Sequence, residues 1–317
     1  MNINLGVIMD PIHTIHPEKD TTLAILLEAQ KRNWIIHYME QRDIFMRDGK
    51  VYARMRLLTV RDDQQNWFTF NKEIIQPLDA LNVILMRKDP PVDNEYIYTT
   101  LLLEIVKSQG TLIVNDPQSL RDANEKLFTA RFPQCCPPTL VTHQAQQIRD
   151  FLQEHSDIIL KPLDAMGGKS VFRLRKNDPN INVIIETLTQ YESNYISAQL
   201  YIPEISEGDK RIILIDGEPI PYALARIAAP GETRANLAVG GKGIGVPLSE
   251  HDKWICQQVG PTLRDKGFLL VGLDVIGKYL TEINVTSPTC VRELDKIYGL
   301  NISAKLLDVI EAKCKKN

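Results

Sequence analysis

Two carboxylates and an amide stand close together in one stretch near the carboxyl end: Val271-Gly272-Leu273-Asp274-Val275-Ile276-Gly277-Lys278-Tyr279-Leu280-Thr281-Glu282-Ile283-Asn284. Apolar runs flank Gly277-Lys278-Tyr279, which predicts a hairpin with a three-residue turn. Side chains alternate along a strand, so Leu280, Glu282 and Asn284 are expected on one face. The same turn sets Ile276 opposite Leu280 and Asp274 opposite Glu282. Paired carboxylates about 5 Å apart repel by about 3 kcal/mol at an effective dielectric near 20. A shared proton, a neighbouring Lys or Arg, or a divalent cation must offset this. Two carboxylates and an amide carbonyl are hard oxygen donors, which suits Mg²⁺ better than Zn²⁺. The competing reading is an exposed hairpin with solvated acids. Against it, Val271, Leu273, Val275 and Ile283 give the hairpin one apolar face.

A second group lies in Asp157-Ile158-Ile159-Leu160-Lys161-Pro162-Leu163-Asp164-Ala165-Met166-Gly167-Gly168-Lys169-Ser170. Lys161 interrupts an apolar strand, where it needs an anionic partner or must snorkel to the surface. Gly167-Gly168 lets the backbone turn sharply and present N–H groups to an anion. Gly-Lys-Ser does not make a Walker A loop: Leu163 stands where the first glycine belongs, and a strand follows instead of a helix. The segment reads as a Gly-tipped flap.

Further cations are spread along the chain. Lys126 lies at the start of a predicted helix. Arg87 follows the buried run Val83–Met86, at the strand end where open α/β sheets hold ligands; its planar fork suits a carboxylate, and a surface position in a Pro-bounded turn is the alternative. Asp209-Lys210-Arg211 opens a strand, Arg226 closes one, and Gly231-Glu232-Thr233-Arg234-Ala235-Asn236 lies in the Gly-rich segment 228–247, whose length marks a lid or disorder. Arginines, lysines and a metal facing one another form a layout that clamps phosphoryl oxygens. His13 and His16 read as surface residues of a turn, since no third ligand is apparent. No G-x-S-x-G and no Cys/His pairing supports a covalent nucleophile.

The elements that must carry these residues fall into two patterns. Strands at 3–9, 34–39, 83–86 and 111–114 alternate with helices at 21–31 and 94–108, which predicts a parallel sheet with helices on its faces, ending near residue 122. Beyond it the pattern is α+β: helices at 144–154, 180–191, 250–266 and 301–313, with strands at 158–163, 170–175, 211–215, 219–226, 268–276 and 280–285. The 317 residues suit two or three packed units. A net charge of −3, without a basic tract, argues against nucleic-acid binding. No apolar run reaches membrane-span length, and the residues at the amino end do not resemble a signal peptide. Five cysteines without a C-x-x-C motif suit a reducing, cytoplasmic setting.

Taken together, the chain resembles the bacterial glutathione synthetases of the ATP-grasp superfamily, nearly end to end. The likeness is carried by Val7–Pro11, Val83–Pro91, Asn115–Thr129, Ile158–Asp164, Gly208–Arg211, Gly231–Leu237 and Thr281–Cys290. It implies an N-terminal parallel-sheet domain (pre-ATP-grasp, Rossmann-like) over 1–122, followed by a two-lobed ATP-grasp fold: a central lobe with the flap over 123–200, and a C-terminal lobe with metal site and lid over 201–317. It implies ligation of γ-glutamylcysteine to glycine, with ATP cleaved to ADP and phosphate through an acyl phosphate. By the same likeness Lys126 and Lys161 hold phosphates under Gly167 and Gly168, Gln199, Tyr201 and Ile202 run past the adenine, and Asp209 faces the ribose. Asp274, Glu282 and Asn284 resemble a magnesium set, for which Mn²⁺ can substitute. Arg211, Arg226 and Arg234 resemble the cluster around the acyl phosphate, and Arg87, Asn236 and Ser287 the γ-glutamylcysteine contacts. The family is usually a cytoplasmic homotetramer acting on small molecules, with no nucleic-acid or membrane partner.

The sequence departs from the family pattern at Ala165, Lys169, Leu200 and Lys242, which bears on flap mobility and nucleotide affinity. The alternatives are another ATP-grasp carboxylate–amine ligase and a non-catalytic nucleotide-binding protein of the same fold. The second should have lost its metal carboxylates or its lid.

Overall fold

The computed structural model describes residues 3–229 and 240–315. Its first sheet contains β1 (Asn4–Met9), β2 (Ile35–Met39), β3 (Ile44–Arg47), β4 (Lys50–Val60), β5 (Phe68–Pro77), β6 (Val83–Arg87) and β7 (Leu112–Val114). The order is β3-β4-β2-β1-β6-β7, with β5 paired to β4. The pairs β1–β2, β1–β6 and β6–β7 are parallel, as the alternating pattern predicts. Helices α1 (Thr21–Lys31), α2 (Asn94–Ser108) and α3 (Pro117–Asp122) start at the N-caps Asp20, Asp93 and Asp116, whose carboxylates accept from Leu23, Tyr96 and Ser119 backbone N–H. The antiparallel extension β3–β5 was not expected, because its Arg and Lys residues break the apolar runs that mark the other strands.

The second sheet is antiparallel, in the order β10-β9-β11-β8: β8 (Thr139–Thr142), β9 (Asp157–Pro162), β10 (Phe172–Arg175) and β11 (Ile196–Leu200). Helices α4 (Ala145–His155) and α5 (Ile181–Thr189) cover it, and the sheet and helices enclose a core of their own around Ile148, Leu160 and Ile196. The third sheet has the order β14-β13-β12-β15-β16: β12 (Asp209–Ile215), β13 (Glu218–Ile227), β14 (Lys242–Pro247), β15 (Leu270–Ile276) and β16 (Tyr279–Asn284). With it come α6 (Glu250–Asp265), α7 (Val291–Tyr298) and α8 (Ile302–Cys314). Apolar residues of the first and third sheets mix in two shared cores. Part of the expected lid, 242–247, is strand β14 paired to β13; its residues 230–239 lie outside the described residues.

The hairpin β15–β16 differs from expectation in an instructive way. Its turn has two residues, Gly277 and Lys278, so Ile276 faces Tyr279 instead of Leu280. An irregularity beyond Val275–Leu280 then inserts Thr281 as an extra residue, which restores Asp274 opposite Glu282. The same bulge turns Leu280 into the core with Ile283 and Val285, so Leu280 does not share the face of Glu282 and Asn284.

One buried amide ties this hairpin to the first sheet. Asn115 donates to the carbonyls of Leu270 (2.8 Å) and Val285 (2.7 Å), and its oxygen accepts from Leu269 N (2.8 Å) and Leu270 N (3.0 Å). Replacing it with Ala strands buried backbone groups on two strands. Asn115→Ala is expected to lower unfolding free energy by about 3 kcal/mol, measured by urea denaturation. A loss below about 1 kcal/mol contradicts the clamp.

Candidate active site

Between the second and third sheets lies a cleft of about 960 Å³. Its walls include Lys126, Lys161, Gln199, Tyr201, Ile202, Asp209, Asp274 and Glu282, with Gly167 and Gly168 over it. A second cavity of about 800 Å³ adjoins it, lined by Glu125, Arg211, Arg226, Asn284 and Ser287 among others. The two share Lys126, Ala165, Met166, Gly167 and Glu282. Most of the residues singled out in the sequence therefore converge on one continuous space. Arg234 and Asn236 lie outside the described residues.

Each charged group has a positional reason. Lys161 projects from β9 and is 7% exposed; its Nζ donates to Gln199 Oε1 at 3.2 Å, and Gln199 donates in turn to Thr139 Oγ1 at 3.1 Å. The Gln199 side chain thus holds the lysine, and contact with a purine would fall to the backbone beyond it. No acceptor meets the Ile202 N–H among the described residues. Lys126 donates to the flap carbonyl of Ala165 at 2.5 Å and lies 3.7 Å from Glu282 Oε1. Tyr201 is fixed from above by the Arg173 guanidinium, 3.4 Å from its ring centroid, and Arg173 is gripped in a fork by Asp157 at 2.9 and 2.6 Å.

On the third sheet, register alone juxtaposes opposite charges. Arg211 on β12 pairs with Asp274 on β15, and Asp209 on β12 with Arg226 on β13. Arg211 reaches Asp274 at 2.5 and 2.9 Å, while Arg226 reaches Asp274 at 2.9 Å and Asp209 at 2.5 Å. Burial works to protonate Asp274, but the two guanidiniums outweigh it and hold the carboxyl well below the usual range. Asp209 is pushed up to about 6 by burial and the Asp274 charge, against Arg226 and Arg211. Its Oδ1 is buried without a partner among the described residues.

The donor set suits a hard divalent cation. Glu282 keeps its carboxylate at the seam of the two cavities, and Asn284 Nδ2 donates to Gly272 O at 3.2 Å, which leaves the amide oxygen for the cavity. Asp274 has both oxygens on arginines: Oδ2 meets Arg211 and Arg226, while Oδ1 meets Arg211 alone and keeps a lone pair for a cation. Among the described residues no group of three or more His, Cys, Asp or Glu is arranged to hold a metal ion. His13 and His16 are exposed.

Arg87 is placed otherwise than its strand-end position suggests. It is buried behind the second cavity, with Nε on Thr22 Oγ1 at 3.1 Å and Nη2 on Pro288 O at 3.0 Å. Next to the cavity, Ser287 donates to Asp89. Glu125 was missed by the sequence reading. Its Oε1 accepts from Val285 N (2.8 Å), Thr286 N (3.1 Å) and Thr286 Oγ1 (2.9 Å). Adjacency to Lys126 was its only signal.

Comparison with known proteins adds a family to this geometry. Residues 3–121 match the family model for the N-terminal domain of prokaryotic glutathione synthetase, and residues 125–299 that for its ATP-grasp domain. The chain is 58% identical to a glutathione synthetase from Pseudomonas syringae pv. tomato over 313 residues, 99% of this chain and 98% of that one. It is 56% identical to one from Vibrio vulnificus, with the same shares covered. Among solved structures, D-cycloserine synthetase DcsG superposes with a TM-score of 0.68 at 13% identity, covering 97% of this chain and 100% of that one. ATP-grasp ligase PsnB complexed with minimal precursor gives 0.64 at 16%, covering 99% and 100%. At such identities these two show the fold alone.

Burial, reinforced by Lys126 and opposed by Glu282, Asp209 and Asp274, lowers the Lys161 pKa. As pH rises through that lowered value the free protein releases the proton, and an arriving anion restores it. ATP binding is therefore expected to take up protons above that lowered value, more than below it. Calorimetry in buffers of different ionisation heat measures this, and Lys161→Met should abolish the difference. Uptake that is absent, or unchanged in the variant, contradicts the assignment.

Proposed function

The chain belongs to the prokaryotic glutathione synthetase family, and from that premise we infer that it catalyses ATP-dependent glutathione synthesis. The terminal carboxylate of γ-glutamylcysteine is joined to the amine of glycine, and ATP is cleaved to ADP and phosphate. The observation that supports this most is the 3.7 Å approach of Lys126 to Glu282 where the two cavities meet. A γ-phosphoryl group at that seam can be met by a carboxylate from the neighbouring cavity.

We assign the first cavity to the nucleotide. Lys126 and Lys161 neutralise phosphate oxygens, and the Gly167-Gly168 backbone closes over them. Ile202 N–H is the proposed adenine donor, next in the chain after the fixed ring of Tyr201. The orphaned Oδ1 of Asp209 suits a ribose hydroxyl. Asp274, Glu282 and Asn284 are the proposed Mg²⁺ ligands, with Mn²⁺ as a substitute. When bound, the ion offsets negative charge on the transferring phosphoryl group.

The second cavity is assigned to the acyl partner. Ser287 and Asn236 contact γ-glutamylcysteine, and Arg87 sets the Pro288 turn from behind. Arg211, Arg226 and Arg234 stabilise the acyl phosphate and the oxyanion formed when the amine attacks. Glycine nitrogen then bonds to the acyl carbon and phosphate leaves. The flap over both cavities excludes water, which would hydrolyse the acyl phosphate. The chain divides for this work into 1–122, 123–200 and 201–317. We place the enzyme in the cytoplasm as a homotetramer; no described helix is long and apolar enough to cross a membrane.

Purified protein given ATP, Mg²⁺ and γ-glutamylcysteine should release ADP in a glycine-dependent manner, read in a coupled assay. ADP formation indifferent to both acceptor substrates contradicts the reading. Glu282→Ala should reduce Mg²⁺-dependent turnover at least about a thousandfold without moving the unfolding midpoint. Near wild-type turnover in that variant removes the metal assignment.

A further inference from the structure

The second half of the reaction needs a place for an amine. Glycine arrives as an ammonium ion and must present its nitrogen to the acyl carbon. Among the described residues, three carboxylates line the second cavity: Asp89, Glu125 and Glu282. Asp89 accepts from Ser287 and belongs to the strand-end turn after β6. Glu282 faces Lys126 at 3.7 Å and the nucleotide cleft. Glu125 is differently placed. All three of its side-chain hydrogen bonds among the described residues go to one oxygen, Oε1. These fix the carboxylate plane against the turn after β16, and the Glu125 carbonyl accepts from Ile283 N at 2.9 Å. No donor among the described residues reaches Oε2, and that oxygen keeps some accessible surface.

We propose that Glu125 is the amine-binding residue: Oε2 receives an N–H of glycine and orients its nitrogen towards an acyl group held beside Arg211 and Arg226. The proposal rests on the ligase reading above. It assigns the amine to a fixed carboxyl oxygen that neither the nucleotide nor the metal uses. Such a fixed acceptor favours a small primary amine, since it engages one N–H and leaves the lone pair for attack once the ammonium has lost a proton.

The test is E125Q, which keeps an oxygen for the three donors and replaces the offered oxygen with an NH₂ group. The KM for glycine should rise at least tenfold, with KM for ATP and γ-glutamylcysteine within twofold of wild type. Exchange of ¹⁸O between the bridge and non-bridge positions of ATP, measured with γ-glutamylcysteine and no glycine, should run at the wild-type rate. E125D, which keeps the carboxyl group but withdraws it by one methylene, should raise the glycine KM less than E125Q. An unchanged glycine KM in E125Q overturns the proposal, as does an equal fall in isotope exchange, which marks a structural role. Should E125Q fail to fold, an unchanged glycine KM in E125D overturns it, and a raised glycine KM with wild-type exchange supports it. Absence of exchange in the wild-type enzyme would instead refute the acyl-phosphate reading beneath it.

Discussion

Buried charges persist only where opposite charges are held against them. In this protein that constraint shapes the third sheet. Asp274 lies between Arg211 and Arg226, and Arg226 reaches on to Asp209. The four residues sit on three adjacent strands, β13, β12 and β15, and their pairing follows from register. A slip by one residue would turn every one of them to the other face. Removing one partner from such a set typically costs 3–5 kcal/mol, which is about the order of the repulsion left behind. The network fixes the sheet and, in the same stroke, presents two guanidiniums to the second cavity.

The lysines extend this logic to the other side of the cleft. Lys161 is tied to Gln199 and is short of anionic partners, while Lys126 joins the flap carbonyl of Ala165 to the edge of Glu282. An anion entering between them relieves a desolvated ammonium and competes for the hold on the flap. The second sheet carries its own core, and the first and third share theirs.

Much of this was legible in the residues. The parallel strands show as continuous apolar runs, and the paired acids of the last hairpin as an interruption of them. The Asp274–Glu282 pairing was anticipated from the wrong turn length; the Thr281 bulge supplied the missing residue. The β3–β5 extension and β14 were not legible, because charged or Gly-rich strands lack the apolar signal. Glu125 and Asn115 were hidden for another reason. Their partners lie about 150 residues away in sequence, and no local spacing encodes such a contact. Arg87 stands at the strand end where ligands gather, and its Nε and Nη2 are anchored on Thr22 and Pro288, contacts that strand-end position alone does not encode.

The central claim is that a triphosphate is held between Lys126 and Lys161 on one side and a divalent ion on the last hairpin on the other. A crystal structure with Mn²⁺ and a non-hydrolysable ATP analogue tests it directly, using the anomalous signal of the metal. A metal peak bounded by Asp274, Glu282 and Asn284 is expected, with phosphate oxygens within hydrogen-bonding reach of both lysine nitrogens. A metal peak away from β16, or phosphates that leave either lysine unengaged, would contradict it.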